Sequence, residues 1–147
     1  MQNSRLPLES LDCLHRSIRD QEIGRVTVAQ QHATALQARL DRVCRLIEES
    51  EKQSAGYQAG EITSIELLTH FQKHRSHLRS KLASLTEQKQ RANSELNARH
   101  HQLLEAEKQV KMIEKLNRQR LTELQRQQAA QELQASDEWA AQQRGRT

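Results

Sequence analysis

The sequence predicts an all-α protein in which two long helices fold back on each other as an antiparallel coiled-coil hairpin, with the second helix overhanging the first. Three observations carry this. Of 147 residues only 2% are aromatic, one Trp, one Tyr and one Phe, too few to anchor an ordinary globular core of this size. Four Gly and one Pro leave little material for the turns of a sandwich, a barrel or a many-turned α/β fold. The remainder is rich in Gln, Leu, Ala, Glu, Arg and Lys, the composition of long helices.

Helix 1 is expected over about residues 7–56. Pro7 is tolerated in a first turn, where its missing N–H costs nothing. A 3-4-3-4 spacing picks out Val26, Ala29, Ala33, Leu36, Leu40, Val43, Ile47, Ser50, Ser54 and Tyr57. Upstream, Leu8, Leu11, His15 and Ile18 continue this stripe only if the phase slips by one residue near Gly24. Gly56 and Gly60 are placed to end the helix. Thr63 and Glu66 then have capping-box spacing, so a turn is expected over 57–63 and helix 2 over about 64–140. Its stripe runs Leu68, Phe71, Arg75, Leu78, Leu82, Leu85, Lys89, Ala92, Leu96, Arg99, Leu103, Ala106, Val110 and Ile113. The tail, residues 141–147, is expected to fray. The whole chain is expected to form one coiled-coil domain.

A short turn makes the helices antiparallel neighbours. Residue numbers summing to about 118 bring a positions opposite d positions, pairing Ile47 with Phe71, Leu40 with Leu78 and Leu36 with Leu82. A slip of seven residues also satisfies the period, but it lengthens or consumes the turn. In the 118 register helix 1 is used up near residue 110, leaving an overhang of about 30 residues, or about 45 Å of helix. Residues 108–126 carry Lys108, Lys111, Lys115, Arg118, Arg120 and Arg126 against Glu114 and Glu123, a balance of +4 that equals the net charge of the chain. A helix without its own partner stripe is marginal in water and gains order by binding.

The remaining groups point away from catalysis. His70, His74 and His77 share a flank of helix 2, but no carboxylate or thiol is spaced to complete a metal site. No glycine-rich phosphate loop and no nucleophile–base arrangement is present, so neither an enzyme nor a cofactor is expected. Cys13 and Cys44, about 46 Å apart on one straight helix, are too distant for a disulfide, which suits a reducing compartment. Cys44, next to the seam residue Val43, is expected to pack as a small apolar group. A mean hydropathy of −0.93 and the absence of a long apolar run argue against membrane insertion. The amino-terminal residues lack the apolar stretch of a secretory signal. Nucleic acid is a poor partner, because the basic segment has no stacking aromatics and is interrupted by carboxylates. Trp139, on the overhang, is a contact candidate. Tyr57 and Phe71 at the hairpin tip are either seam filler or a partner-binding face.

The stretch Lys111-Met-Ile-Glu-Lys-Leu-Asn-Arg-Gln-Arg120 followed by Asp137-Glu138-Trp139-Ala140 resembles the C-terminal pattern of the FliJ family. That family is the small soluble component of the bacterial flagellar type III export apparatus. The likeness extends to the Leu-rich opening from Leu8 to Ile18, Glu22, the mid-chain glycine break and the Phe71 region. It implies a shaft-like hairpin, acting as a monomer, in the pore of the hexameric export ATPase. Such a shaft links the ATPase to the membrane-embedded export gate and handles export chaperones at the inner face of the cell membrane. By position, Lys111, Glu114, Lys115, Leu116 and Arg118 become the ATPase-facing set. Tyr57, Phe71, Leu78 and Leu82 fall in the gate-facing region, with Arg75 standing where an apolar residue is expected. The other readings are a generic coiled-coil tether that pairs through its overhang, and the equivalent stalk of a virulence secretion system.

Overall fold

The computed structural model describes residues 6–58 and 65–146. Two helices account for nearly all of them: α1, Leu6–Gln58, and α2, Ile65–Gly145, packed against each other as a helical hairpin with no strand among the described residues. Pro7 falls in the first turn of α1, as its fixed φ favours. α1 runs through Gly56 to Gln58, and no described glycine takes a positive φ. α1 thus ends within two residues of the stop expected near Gly56, since glycine permits a helix end without enforcing one. Gly60 and the Thr63 capping position lie outside the described residues. At the other end α2 remains helical to Gly145, so the fraying expected from residue 141 is corrected.

The chain divides into two compact units, Gln21–Leu103 and Met1–Asp20 with Leu104–Thr147. In the first, the core joins Ala33, Leu36, Leu40 and Val43 of α1 to Leu85 and Ala92 of α2, with Ile47, Leu82 and Leu96 packed against it. Every α1 stripe position from Val26 to Ser54 is at least half-buried, and so is every α2 stripe position from Leu68 to Arg99. Tyr57, the last of the α1 series, is exposed.

The register differs from the 118 proposal. Leu96 packs on the Ala33–Val43 core, whereas the proposal sets it opposite Glu22. One groove is lined by Gln30, Ala33 and Gln37 from α1 and by Lys89, Asn93 and Leu96 from α2, pairs whose numbers sum to about 126. Phe71 lies beside Tyr57, ring centroids 5.4 Å apart, and not opposite Ile47. The layers thus sum to about 125, pairing Leu40 with Leu85 and Val43 with Leu82, the seven-residue slip that a heptad permits. Its cause is at the turn. With α1 ending at Gln58 and α2 starting at Ile65, the midpoint lies beyond residue 59, which a sum of 118 requires.

In the unit of Met1–Asp20 with Leu104–Thr147, Ala106, Val110 and Ile113 of α2 are buried. Their α1 counterparts are mostly polar: Asp12, His15 and Arg19 are half-buried, with Leu8 the one apolar residue among them, while Leu11, Leu14 and Ile18 are exposed. The expected slip at Gly24 does not occur. An unbroken α-helix advances about 100° per residue, so the phase of the Val26–Ser54 stripe is carried back unchanged. It places Glu22 on the seam and turns Leu11 and Ile18 outward. Glu22 is 8% exposed; its Oε1 accepts from Arg25 at 2.8 Å, and its Oε2 is buried without a partner. Cys13 and Cys44 are both exposed free thiols, so Cys44 does not pack in the core as expected.

Three outcomes follow from this packing. With Cys13 and Cys44 replaced, Leu40→Cys with Leu85→Cys should form a disulfide within one chain, and Leu36→Cys with Leu82→Cys should not, which gel mobility after oxidation reads. Leu36→Ala, at a site 2% exposed, should cost about 2–5 kcal/mol in denaturant unfolding, and Leu116→Ala, at a site 47% exposed, well under half of that. Glu22→Leu should raise the melting temperature, because it removes a buried oxygen that has lost water and gained no donor.

Candidate docking surfaces

The basic part of α2 begins where its seam side is well packed. Val110 and Ile113 face inward, 3% and 6% exposed, and their burial fixes how the helix is rotated. With the rotation set, Lys111, Glu114, Lys115, Arg118, Thr122 and Arg126 fall along one concave strip, together with Gln119 and Glu123. The spacing of three or four residues explains this, since such positions share a helix face. Among the described residues, no hydrogen bond or ion pair engages the side-chain cations of Lys111, Lys115, Arg118 or Arg126.

The two other cations of the segment are placed differently. Lys108 donates to Glu105 at 3.2 Å, and Arg120 turns to a groove lined by Leu8, Leu121 and Leu124. Glu114 is engaged too: its Oε1 accepts from the Arg16 guanidinium at 3.1 Å. Arg16 also donates Nε to Asp12, at 3.0 Å. The Asp12 hydrogen bond, then its charge, push the Arg16 guanidinium above its ordinary range, with Glu114 adding to the effect. Part of the acidic charge in the segment is thereby occupied by α1, and the strip presents mainly positive charge.

The five residues proposed to face the ATPase do not share one face. Lys111, Glu114, Lys115 and Arg118 are on the strip, and Leu116 is not among its lining residues. On the wheel Leu116 lies roughly 140° from Lys111. Nor does the overhang start at residue 110, because Leu8 and Glu9 of α1 reach as far as Asn117, Leu121 and Leu124. The register explains this: moving the layers by seven residues extends the paired part of α2 by about the same length. From residue 121 to 139 every residue of α2 is exposed, Trp139 at 65%.

The second set lies at the other end of α1. The Tyr57 ring meets Phe71 at an interplanar angle of 43°, and the His70 imidazole meets Phe71 edge-on at 6.4 Å. Tyr57 is 53% exposed, while Phe71 and Arg75 are half-buried. Leu78 is buried and Leu82 packs against the core, so they hold the helices together beneath this aromatic edge and have little surface of their own to offer. The unpartnered Glu22 oxygen could not be foreseen from the sequence, because a lone Glu in an otherwise apolar stripe looks like a phase change.

Among the described residues no helix is long and apolar enough to cross a membrane, and no group of three or more His, Cys, Asp or Glu is placed to hold a metal ion. Searches of the curated proteins and of the solved structures returned no match. The family model described as Flagellar FliJ protein matches residues 4–147. A match over essentially the whole helical hairpin settles the family: the chain belongs to the FliJ family, and its work lies in flagellar protein export.

Proposed function

We propose that this chain is a non-enzymatic shaft of the flagellar export apparatus that couples the export ATPase ring to the export gate and assists in handling export chaperones. The single observation that carries this reading is the strip of Lys111, Lys115, Arg118 and Arg126, cations unpaired among the described residues, on a helix that is exposed at every position from 121 to 139. A stiff helix with exposed like charges suits a socket lined with acidic loops, such as the inside of a ring. Long-range attraction guides entry, and screened contacts exchange readily once seated. In this reading Lys111, Lys115 and Arg118 meet the ATPase, Glu114 holds the strip against Arg16, and Leu116 contacts from another face. The aromatic edge of Tyr57 and Phe71, with Arg75 beside it and Leu78 and Leu82 beneath, meets the cytoplasmic part of the gate. The protein then acts as a single copy, held peripherally at the inner face of the cell membrane and contacting neither nucleic acid nor the bilayer interior.

The triple reversal of Lys111, Lys115 and Arg118 to Glu tests the ATPase contact. Circular dichroism should be unchanged, since none of the three has a seam partner. Association with the export ATPase should weaken at least tenfold at low salt, mostly through kon, and the loss should shrink as salt is added. Motility should fall in parallel. Normal binding by the triple variant at low salt would show the strip to be a solvated face.

A further inference from the structure

The side of α2 that packs against α1 does not stop where α1 stops. At about 100° per residue, Leu121, Leu124, Gln128, Ala135 and Trp139 fall within roughly 60° of one another, in line with Val110 and Asn117. Leu121, Leu124 and Trp139 are 55%, 39% and 65% exposed. This face is the direct continuation of an existing interface.

Charge says what covers it. From residue 127 to the end of α2 the chain carries Glu132, Asp137 and Glu138 against Arg144, a balance of −2. Residues 116–126, just before them, carry Arg118, Arg120 and Arg126 against Glu123, a balance of +2. A segment that is positive in one half and negative in the other complements itself only when reversed. Two copies side by side in the same direction would set like charge on like; two copies in opposite directions set each positive half along a negative one.

We propose that the end of α2 is the interface of an antiparallel homodimer, the occupant of the exposed face being the same face of a second copy. The two-fold axis passes at the level of Ala129 and Ala130, whose side chains lie on the flank and back of the helix, away from the shared face. Leu124 then faces Ala135 of the second copy, Gln128 faces Gln131, and Leu121 lies against Trp139. The pairing uses the part of α2 that a single shaft leaves uncovered, so the dimer is a free form that must open before one copy can enter a ring.

Trp139 is the sole tryptophan, which makes it an internal reporter. Raising the concentration of the full chain should double its mass by light scattering and shift its fluorescence to shorter wavelength. Trp139→Asp should remain monomeric with an unchanged helical spectrum. For the direction, Leu124→Cys and Ala135→Cys are placed on separate chains lacking Cys13 and Cys44. In the antiparallel pair, identical positions lie about 16 Å apart, beyond disulfide reach, so each chain alone should stay uncrosslinked and the mixture should crosslink. Crosslinking of either chain with itself, or a monomer mass with concentration-independent fluorescence, would overturn the proposal. Neither readout involves the ATPase, so the outcome is separate from that of the shaft reading.

Discussion

The seam between α1 and α2 is where this protein can exclude water, and that constraint shapes the rest. A two-helix hairpin has no second layer, so a side chain is either on the seam or substantially wet. Among the described residues no large side chain is completely sequestered. Stability therefore comes from many modest layers in sequence, with Leu36, Val43, Leu78, Val110 and Ile113 among the most completely buried. The aromatic scarcity has the same origin, because a seam about one side chain wide accommodates Leu, Val and Ala better than large rings. The aromatic pair, Tyr57 with Phe71, sits at the end of α1, where the packing opens and a ring can project.

How much of this was legible follows from what a heptad encodes. The α2 stripe was readable position by position, since its spacing holds from Leu68 to Ile113 across Arg75, Lys89 and Arg99, and burial follows it. The α1 stripe was readable from Val26 to Ser54 and misleading before it. Leu11 and Ile18 invite a change of phase, yet an unbroken helix cannot change phase at a glycine, so Asp12, His15, Arg19 and Glu22 take the inner side. Register was the least legible feature. A shift of seven residues preserves every a-to-d match, and the choice falls to the length of the turn, which depends on whether α1 stops at Gly56 or runs on to Gln58.

The same error moved the expected docking surface. With the layers shifted, α1 accompanies α2 into the basic segment, and Arg16 reaches Glu114. The charges were all legible as a sum; their pairing was not. An acidic residue counted as a brake on the positive field is occupied by α1, whereas Lys108 is drawn to Glu105. What remains unpaired is a strip of four cations at helical spacing, narrower than the segment and better defined. Leu116 shows the converse limit: adjacent in sequence to Lys115, it is not on the strip, because it lies about 140° around the helix from Lys111.

A polar stretch of seam has a cost that an apolar one does not, and its placement suggests what the chain gains. Asp12, His15 and Arg19 on the inner side of α1 are only half-buried where Ala106, Val110 and Ile113 of α2 are buried, and Leu11, Leu14 and Ile18 are left wet. Ion pairs such as Arg16 with Asp12 are exposed, and exposed pairs of this kind stabilise weakly. This stretch therefore holds together through a few α2 residues against a polar face. Such an interface repacks at low cost when a partner offers apolar surface to the outward leucines or opposite charge to the cation strip. The leucine layers of the Gln21–Leu103 unit have no comparable freedom, since separating Leu40 from Leu85 exposes both at once. Composition thus distinguishes a stretch closed by leucine layers from a stretch in which apolar α2 residues meet a largely polar α1 face.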